Sequence, residues 1–117
     1  FEYSTIPYSL VSALETAVRG VALRVGVEQV FAEILRLHQI FLTELGSLPS
    51  SVTIPSSPEG RAGILSLRMP EPGPIAAALG KEGIVCSARG AFLRIAPHVY
   101  VSDDQMQRAA GLLKKMW

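Results

Sequence analysis

The change of pattern at Gly46 constrains the fold of this chain more than any other sequence feature. Before it, apolar side chains recur at three- and four-residue spacing, and after it short apolar runs are separated by Pro, Gly and Ser. The first pattern is typical of helices and the second of short strands joined by turns. We therefore expect one domain of 117 residues in two parts. Residues 1–46 would form two helices that lead in, and residues 47–117 a small α/β sandwich.

The two opening helices are marked by their ends. Thr5 is placed to cap a helix whose first turn contains Pro7, and Gly26 is expected to end that helix. The second helix is expected to begin near Val27 and to end at Gly46. Because both helices are apolar on more than one face, we expect each to be covered on two sides.

The second part of the chain predicts a sheet of short strands. They are expected at residues 52–54, 63–69, 84–88 and 91–96, and the last two are close enough to form a hairpin. The sheet is therefore expected to be small and mostly antiparallel.

Two further helices are expected to cover this sheet on one face. Pro74 can begin the first, which Gly80 or Gly83 would end. The second begins with the sequence of a capping box, Ser102 followed three residues later by Gln105. Its side chains that face the sheet are expected to be Met106, Ala109, Ala110, Leu113 and Trp117. The whole pattern predicts an α+β fold, preceded by two long helices.

The composition excludes several kinds of partner. With a net charge of +1 and scattered basic residues, nothing predicts binding to nucleic acid or to an anionic membrane surface. No apolar run reaches the roughly 18–20 residues that span a bilayer. The single cysteine, Cys86, excludes an internal disulfide framework and suits a reducing compartment, so we expect a cytoplasmic protein. Since 49% of the residues are hydrophobic, we expect apolar surface to be buried against another domain or subunit.

The chain contains none of the common catalytic or metal-binding motifs. His38 and His98 are far apart and have no cysteine or acidic residue at metal-ligand spacing, so both are expected to be structural or exposed. Cys86 lies inside a predicted strand, where we expect a small buried thiol.

Arg94 is the strongest candidate for a binding residue, because it lies in an otherwise apolar strand segment, residues 92–95. An unpaired buried charge is unstable, so this arginine needs a partner. Its planar guanidinium group suits two parallel hydrogen bonds to a carboxylate. The alternatives are a structural pair with Glu82 or a hydrogen bond to a backbone carbonyl.

Four segments, in order, resemble the C-terminal region of class V aminotransferases. Residues 1–7 read FEYSTIP, residues 61–66 RAGILS, residues 83–89 GIVCSAR and residues 93–100 LRIAPHVY. That family includes cysteine desulfurases, isopenicillin epimerase-like enzymes and relatives of kynureninase. The resemblance extends over essentially the whole chain. It departs from the family at three positions, which are Ser4 in place of glycine, an extra Ile6, and Val101 in place of asparagine.

The resemblance implies roles for three residues. Arg94 matches the arginine that binds the α-carboxylate of the substrate. Thr5 matches a threonine that contacts the cofactor phosphate across the dimer interface, although it equally suits a helix cap. Arg89 matches a charged position near the mouth of the active site, and a role in stabilising the hairpin is the alternative. His98 and Tyr100 match residues that shape the turn into the last helix.

The resemblance also implies a function. The chain would be the substrate-clamping C-terminal domain of a pyridoxal-phosphate-dependent aminotransferase, epimerase or lyase that acts on an amino acid. Such enzymes are homodimers, and their cofactor lysine lies in a large domain upstream. Lys81, Lys114 and Lys115 have no matching context, so we expect no catalysis by this chain alone. Desulfuration is disfavoured, since the short segment between Arg89 and Arg94 leaves no room for a mobile cysteine loop.

The alternative function is a non-enzymatic α+β binding or dimerisation module. In such a module Arg94 would pair internally, whereas in the small domain of an enzyme it would point, unpaired, toward a cleft. The enzyme interpretation also predicts that the isolated chain self-associates through its opening helices. Because the chain begins at Phe1 without Met, we expect a fragment or a processed or engineered product of a longer protein.

Overall fold

The computed structural model describes residues 7–54, 57 and 60–117. These fall into two compact units, Phe1–Val30 and Phe31–Trp117, which are described separately below. The described chain is α+β, with a three-stranded antiparallel sheet and helices on one of its faces. The predicted fold class is therefore confirmed. No helix in the described ranges has the length and apolarity needed to cross a bilayer.

The first unit is helical up to Gly26, as predicted. Helix α1 (Tyr8–Ala17) continues through a π-helical turn (Val18–Ala22) into the short helix α2 (Leu23–Val25). Gly26 then adopts a positive φ of 90°, which glycine reaches without steric cost and which ends the helical path. Pro7 occupies the N-cap of α1, where no side chain accepts a hydrogen bond. The predicted cap Thr5 lies outside the described residues.

Helix α3 (Val27–Leu45) has the predicted bounds. It ends at Gly46, whose φ is 69° and whose N–H donates to the Leu42 carbonyl at 3.0 Å. Its fully buried side chains lie on one stripe, at Leu37, His38, Phe41 and Leu45. Within the described part of the chain α3 buries one stripe, and every side chain of α1 is exposed. The cover expected on two sides of each opening helix is therefore not supplied by these residues and stays a prediction about a partner.

The sheet consists of β1 (Leu65–Arg68), β2 (Ser87–Arg89) and β3 (Phe92–Ile95), in the spatial order β1-β3-β2. The predicted hairpin is confirmed, since β2 and β3 are joined by a two-residue turn in which Gly90 has a φ of 58°. The strand expected at residues 52–54 is reduced to one bridge between Thr53 and Arg68. The other strands are shorter than predicted: β1 and β3 keep only the central residues of the expected ranges, whereas β2 begins three residues later than expected and ends one residue later.

Two helices cover the sheet. Helix α4 (Pro72–Lys81) begins two residues earlier than predicted, because Pro72 rather than Pro74 occupies its first position. Helix α5 (Asp103–Lys114) has the predicted capping box. The Ser102 hydroxyl accepts a hydrogen bond from the Gln105 N–H at 3.3 Å, and the Ser102 N–H donates to the Gln105 side-chain oxygen at 2.9 Å.

The core lies between the sheet and the helices. Leu67 of β1 and Leu93 of β3 are fully buried and belong to one hydrophobic cluster with residues of α3, α4 and α5. The predicted face of α5 is confirmed at Met106, Ala109, Ala110 and Leu113. Trp117 was expected to face the sheet, but it follows the end of α5 and keeps 39% of its surface exposed.

A surface ion-pair network joins α3 to α5. The Arg36 guanidinium donates to both carboxylate oxygens of Asp103, at 2.9 and 2.6 Å, and also to Glu33. These hydrogen bonds raise the pKa of Arg36 and hold the pKa of both carboxyl groups below its usual value. Since all three side chains are well exposed, the network orients the start of α5 more than it stabilises the fold.

The capping box predicts a measurable stability loss. Replacing Ser102 with Ala removes the acceptor of the Gln105 N–H, so the free energy of unfolding should fall by about 1 kcal/mol in urea denaturation. Ser12→Ala, in the exposed middle of α1, is the matched control and should change it by less than about 0.5 kcal/mol. Equal effects of the two substitutions would contradict the role of the cap.

Candidate functional site

The candidate site is the face of the sheet that lies opposite the buried core and helices α4 and α5. Strand residues directly opposite each other share a face, and the register places Ser66, Arg94 and Ser87 in one row across the three strands. The next row contains Arg68, Phe92 and Arg89. The face opposite the core therefore presents three arginines around one phenylalanine. We call these six residues the open face.

Arg94 occupies the centre of the open face. It is half-buried in the middle strand, between the two serines. Its guanidinium group makes no hydrogen bond or ion pair with the residues that the structure describes. The alternative pair with Glu82 does not form there. Instead, Arg108 of α5 donates to the Glu82 carbonyl at 2.8 Å and lies 4.0 Å from its carboxylate.

Arg89 is exposed at the end of β2, where it faces Phe92. The alternative role, a side-chain bond that stabilises the hairpin, is not seen within the described ranges. The positive φ of Gly90 instead makes the two-residue turn. The structure thus brings Arg89 and Arg94, both candidates from the sequence, onto one face.

Arg68 is the member of the open face that sequence reasoning missed. It ends β1 and lies opposite Phe92, on the side away from Arg89. The sequence signal for Arg68 was the apolar–polar alternation of LSLR, residues 65–68. In a strand, this alternation points every second side chain away from the core. The pairing of β1 with β3 rather than with β2 could not be read from that signal.

The charge of the open face is uniformly positive. None of its six residues is acidic, and guanidinium groups stay protonated across the physiological pH range. Arginine offers a planar set of donors that matches a carboxylate or a phosphate in a bidentate manner. The arrangement can therefore bind and orient an anion, and it offers no residue that would act as a base or as a nucleophile.

The described residues do not fit covalent attachment of pyridoxal phosphate. The chain has three lysines, and they lie at the C-terminal ends of α4 and α5 rather than on the open face. The Lys114 ammonium group donates to the Glu44 carbonyl at 3.4 Å. Thr5, the candidate for the cofactor phosphate, lies outside the described residues. No step of a reaction through this cofactor follows from the present geometry.

Away from the open face, a concavity of about 310 Å³ lies between α5 and the segments that flank the β2–β3 hairpin. Its lining combines apolar side chains, among them Ile84, Cys86, Ile95 and Met106, with the polar side chains of Gln105 and Arg108. Burial raises the pKa of the Cys86 thiol, so at neutral pH the protonated form dominates. The thiol was expected to be buried inside a strand, but Cys86 is only partly buried and lies just before β2, which begins at Ser87.

His98 and Tyr100 lie at the turn that leads into α5. Their rings stack with centroids 4.2 Å apart, and the His98 carbonyl accepts a hydrogen bond from the Val101 N–H at 2.9 Å. These contacts suit the expected structural role. In the described part of the chain, no group of three acidic, histidine or cysteine residues could hold a metal ion.

His38 is fully buried in α3, and neither ring nitrogen has a hydrogen-bond partner among the described residues. Burial lowers the pKa of His38, and the nearby Arg61 guanidinium lowers it further. The imidazole is therefore neutral in the folded chain at pH 7. It lies on the helical side of the sheet and takes no part in the open face.

This histidine predicts a specific pH dependence. An unfolded histidine takes up a proton near pH 6.5, whereas the folded His38 resists protonation until a lower pH. The free energy of unfolding should therefore fall as the pH decreases from 7 to 5, by at most about 1.4 kcal/mol per pH unit. His38→Leu should remove this decline, and the control His98→Gln should keep it. An unchanged pH profile for His38→Leu would contradict the neutral buried state.

Comparison with known proteins does not identify a family for this chain. No protein-family model matches it, and a search of curated proteins gives no significant match. The similarity to class V aminotransferases thus depends on the four segments and on the position of Arg94, and it remains a prediction.

Proposed function

We propose that this chain is the substrate-clamping C-terminal domain of a pyridoxal-phosphate-dependent enzyme that acts on an amino acid. The observation that supports the proposal is the position of Arg94, which is unpaired among the described residues at the centre of the sheet face opposite the core. An internal partner for this arginine would have favoured the non-enzymatic module. The observed geometry favours the clamp.

The clamp follows from the chemistry of Arg94. A half-buried guanidinium group without a partner loses part of its hydration, so a carboxylate that pairs with it gains more than it would at a freely exposed arginine. Two parallel hydrogen bonds fix the plane of the carboxylate as well as its position. The amino acid is thereby oriented, and orientation is a recognised source of rate acceleration.

Other parts of the proposed enzyme lie outside this chain. Pyridoxal phosphate supplies an electron sink in such enzymes, and a lysine and an acidic residue of the upstream large domain hold it. The proposal therefore includes a longer protein, in which two copies build each active site, and it assigns no catalysis to these 117 residues alone. Transamination, epimerisation and elimination are equally compatible with a carboxylate clamp.

The test is Arg94→Ala in the intact enzyme encoded by the full reading frame. Losing a charge-assisted bidentate contact should lower kcat/KM for the amino-acid substrate by roughly 30- to 1000-fold, equivalent to about 2–4 kcal/mol. Arg24→Ala, an exposed arginine of α2, is the matched control and should leave kcat/KM unchanged. An unchanged kcat/KM for Arg94→Ala would rule out the clamp.

A stability measurement on the 117-residue chain separates binding from folding. Because Arg94 has no partner in the described structure, Arg94→Ala should change the free energy of unfolding by less than about 0.5 kcal/mol. A large loss would instead indicate a structural role.

A second function, a dimerisation module, is favoured by the surface of the first unit. Large apolar side chains remain highly exposed on its helices, including Tyr8 (74%), Leu10 (67%), Leu14 (64%) and Leu23 (71%). Large apolar side chains that are exposed in such number on one helical segment often mark a site of association. This surface supports association with a second polypeptide, with or without the clamp.

The exposed helix predicts self-association of the isolated chain. The apparent mass of the chain in sedimentation velocity should rise with protein concentration, because association of two chains buries these apolar side chains. The double substitution Leu10→Glu and Leu14→Glu should restore the monomer mass, and the control Ser12→Glu should not. A wild-type chain that stays monomeric at all concentrations would exclude this surface as a self-association site.

A further inference from the structure

We propose that the open face selects an amino acid with two anionic groups. Arg94 binds the α-carboxylate, and Arg68 and Arg89 together bind a second anionic group, a carboxylate or a phosphate, above Phe92. Binding of the α-carboxylate by Arg94 rests on the proposed function. Binding of a second anionic group rests on the positions of Arg68, Arg89 and Phe92 in the sheet.

The register places both additional arginines within reach of one small ligand. Arg68 and Arg89 lie opposite Phe92 on its two sides, so each is a diagonal neighbour of Arg94 on the same face. Diagonal neighbours in an antiparallel sheet are about 7–8 Å apart. Arginine side chains are long enough to converge across that distance, and an amino acid with a short acidic side chain spans the gap between the two anchoring points.

The charge of the face favours two anionic groups over one. A single carboxylate at Arg94 would leave Arg68 and Arg89 without compensation, since no acidic residue belongs to the open face. Neither arginine forms an ion pair within the described ranges. A second anionic group would neutralise part of this charge, and a ligand without one would gain nothing from these two residues.

Phe92 contributes the apolar part of the same site. Its ring is half-buried between the two arginines, in an otherwise polar face. The side-chain methylene group of a short acidic amino acid, which lies between the α-carbon and the second anionic group, can rest on this ring, and the charged ends then extend toward the arginines. An apolar floor with charged groups at its edges is typical of sites that bind amphipathic small molecules.

The experiment is a titration of the 117-residue chain followed by NMR on the arginine Nε–H signals. The probes are L-alanine, L-aspartate and O-phospho-L-serine, each at the same ionic strength and at pH 7. L-Alanine should shift the Arg94 signal alone, whereas the other two should shift those of Arg68, Arg89 and Arg94. A preference of about two- to fivefold in affinity is expected, as for ion pairs on an exposed surface. Whichever of L-aspartate and O-phospho-L-serine binds with the higher affinity shows whether the second group is a carboxylate or a phosphate.

Variants test each half of the site separately. Arg68→Gln and Arg89→Gln should each reduce the preference for L-aspartate over L-alanine while the affinity for L-alanine stays unchanged. Arg24→Gln, with an exposed arginine in the first unit, is the matched control and should preserve the preference.

The outcomes separate this inference from the function on which it rests. If L-alanine shifts Arg94 but neither anionic probe shifts Arg68 or Arg89, the second anionic group is refuted and the carboxylate clamp stands. If no probe shifts Arg94, both are refuted. Equal affinities for L-alanine, L-aspartate and O-phospho-L-serine would also overturn the inference.

Discussion

Leu93 lies in the central strand, and its burial determines which way the residues around it face. It pairs with Leu67 of β1, and both side chains are fully buried in the cluster that includes the helices. Because side chains alternate along a strand, the same register turns Arg94 and Arg68 toward the face opposite the core. A slip by one residue would expose the leucines and bury the guanidinium groups, and both changes are unfavourable. The packing that forms the core therefore also forms the cationic surface.

The third arginine depends on a local feature. Gly90 provides the positive φ that a two-residue hairpin needs, and the tight turn sets Arg89 directly opposite Phe92. A longer turn would let β2 shift along β3 and would separate Arg89 from the other two arginines. The open face thus combines one long-range pairing, β1 with β3, and one short-range pairing, β2 with β3. Paired strands fix the backbone of all three arginines, so binding of an anion has to order only their side chains.

The two units differ in the burial of their apolar side chains. In the second unit they form a continuous core under the sheet, whereas those of α1 are exposed. The high hydrophobic fraction of the sequence is therefore only partly explained by the core of this chain. A partner that packs against the first unit would account for the remaining apolar residues, because exposure of apolar side chains to water is unfavourable. Both proposed functions share this requirement for another polypeptide.

The sequence by itself determined the features that depend on neighbouring residues. The helix ends at Gly26 and Gly46, the capping box of α5 and the β2–β3 hairpin were all predicted, because turn and cap chemistry acts over a few residues. It also identified Arg94 and Arg89 as candidates, partly through the resemblance to class V aminotransferases.

Tertiary structure alone decided the features that depend on distant residues. It paired β1 with β3 and reduced the strand near Thr53 to a single bridge. It also placed Arg108, and not Arg94, in hydrogen-bond contact with Glu82. It also added Arg68 to the open face. Short strands with similar alternation can pair in several orders, and only the joint packing of the sheet against the helices selects one of them.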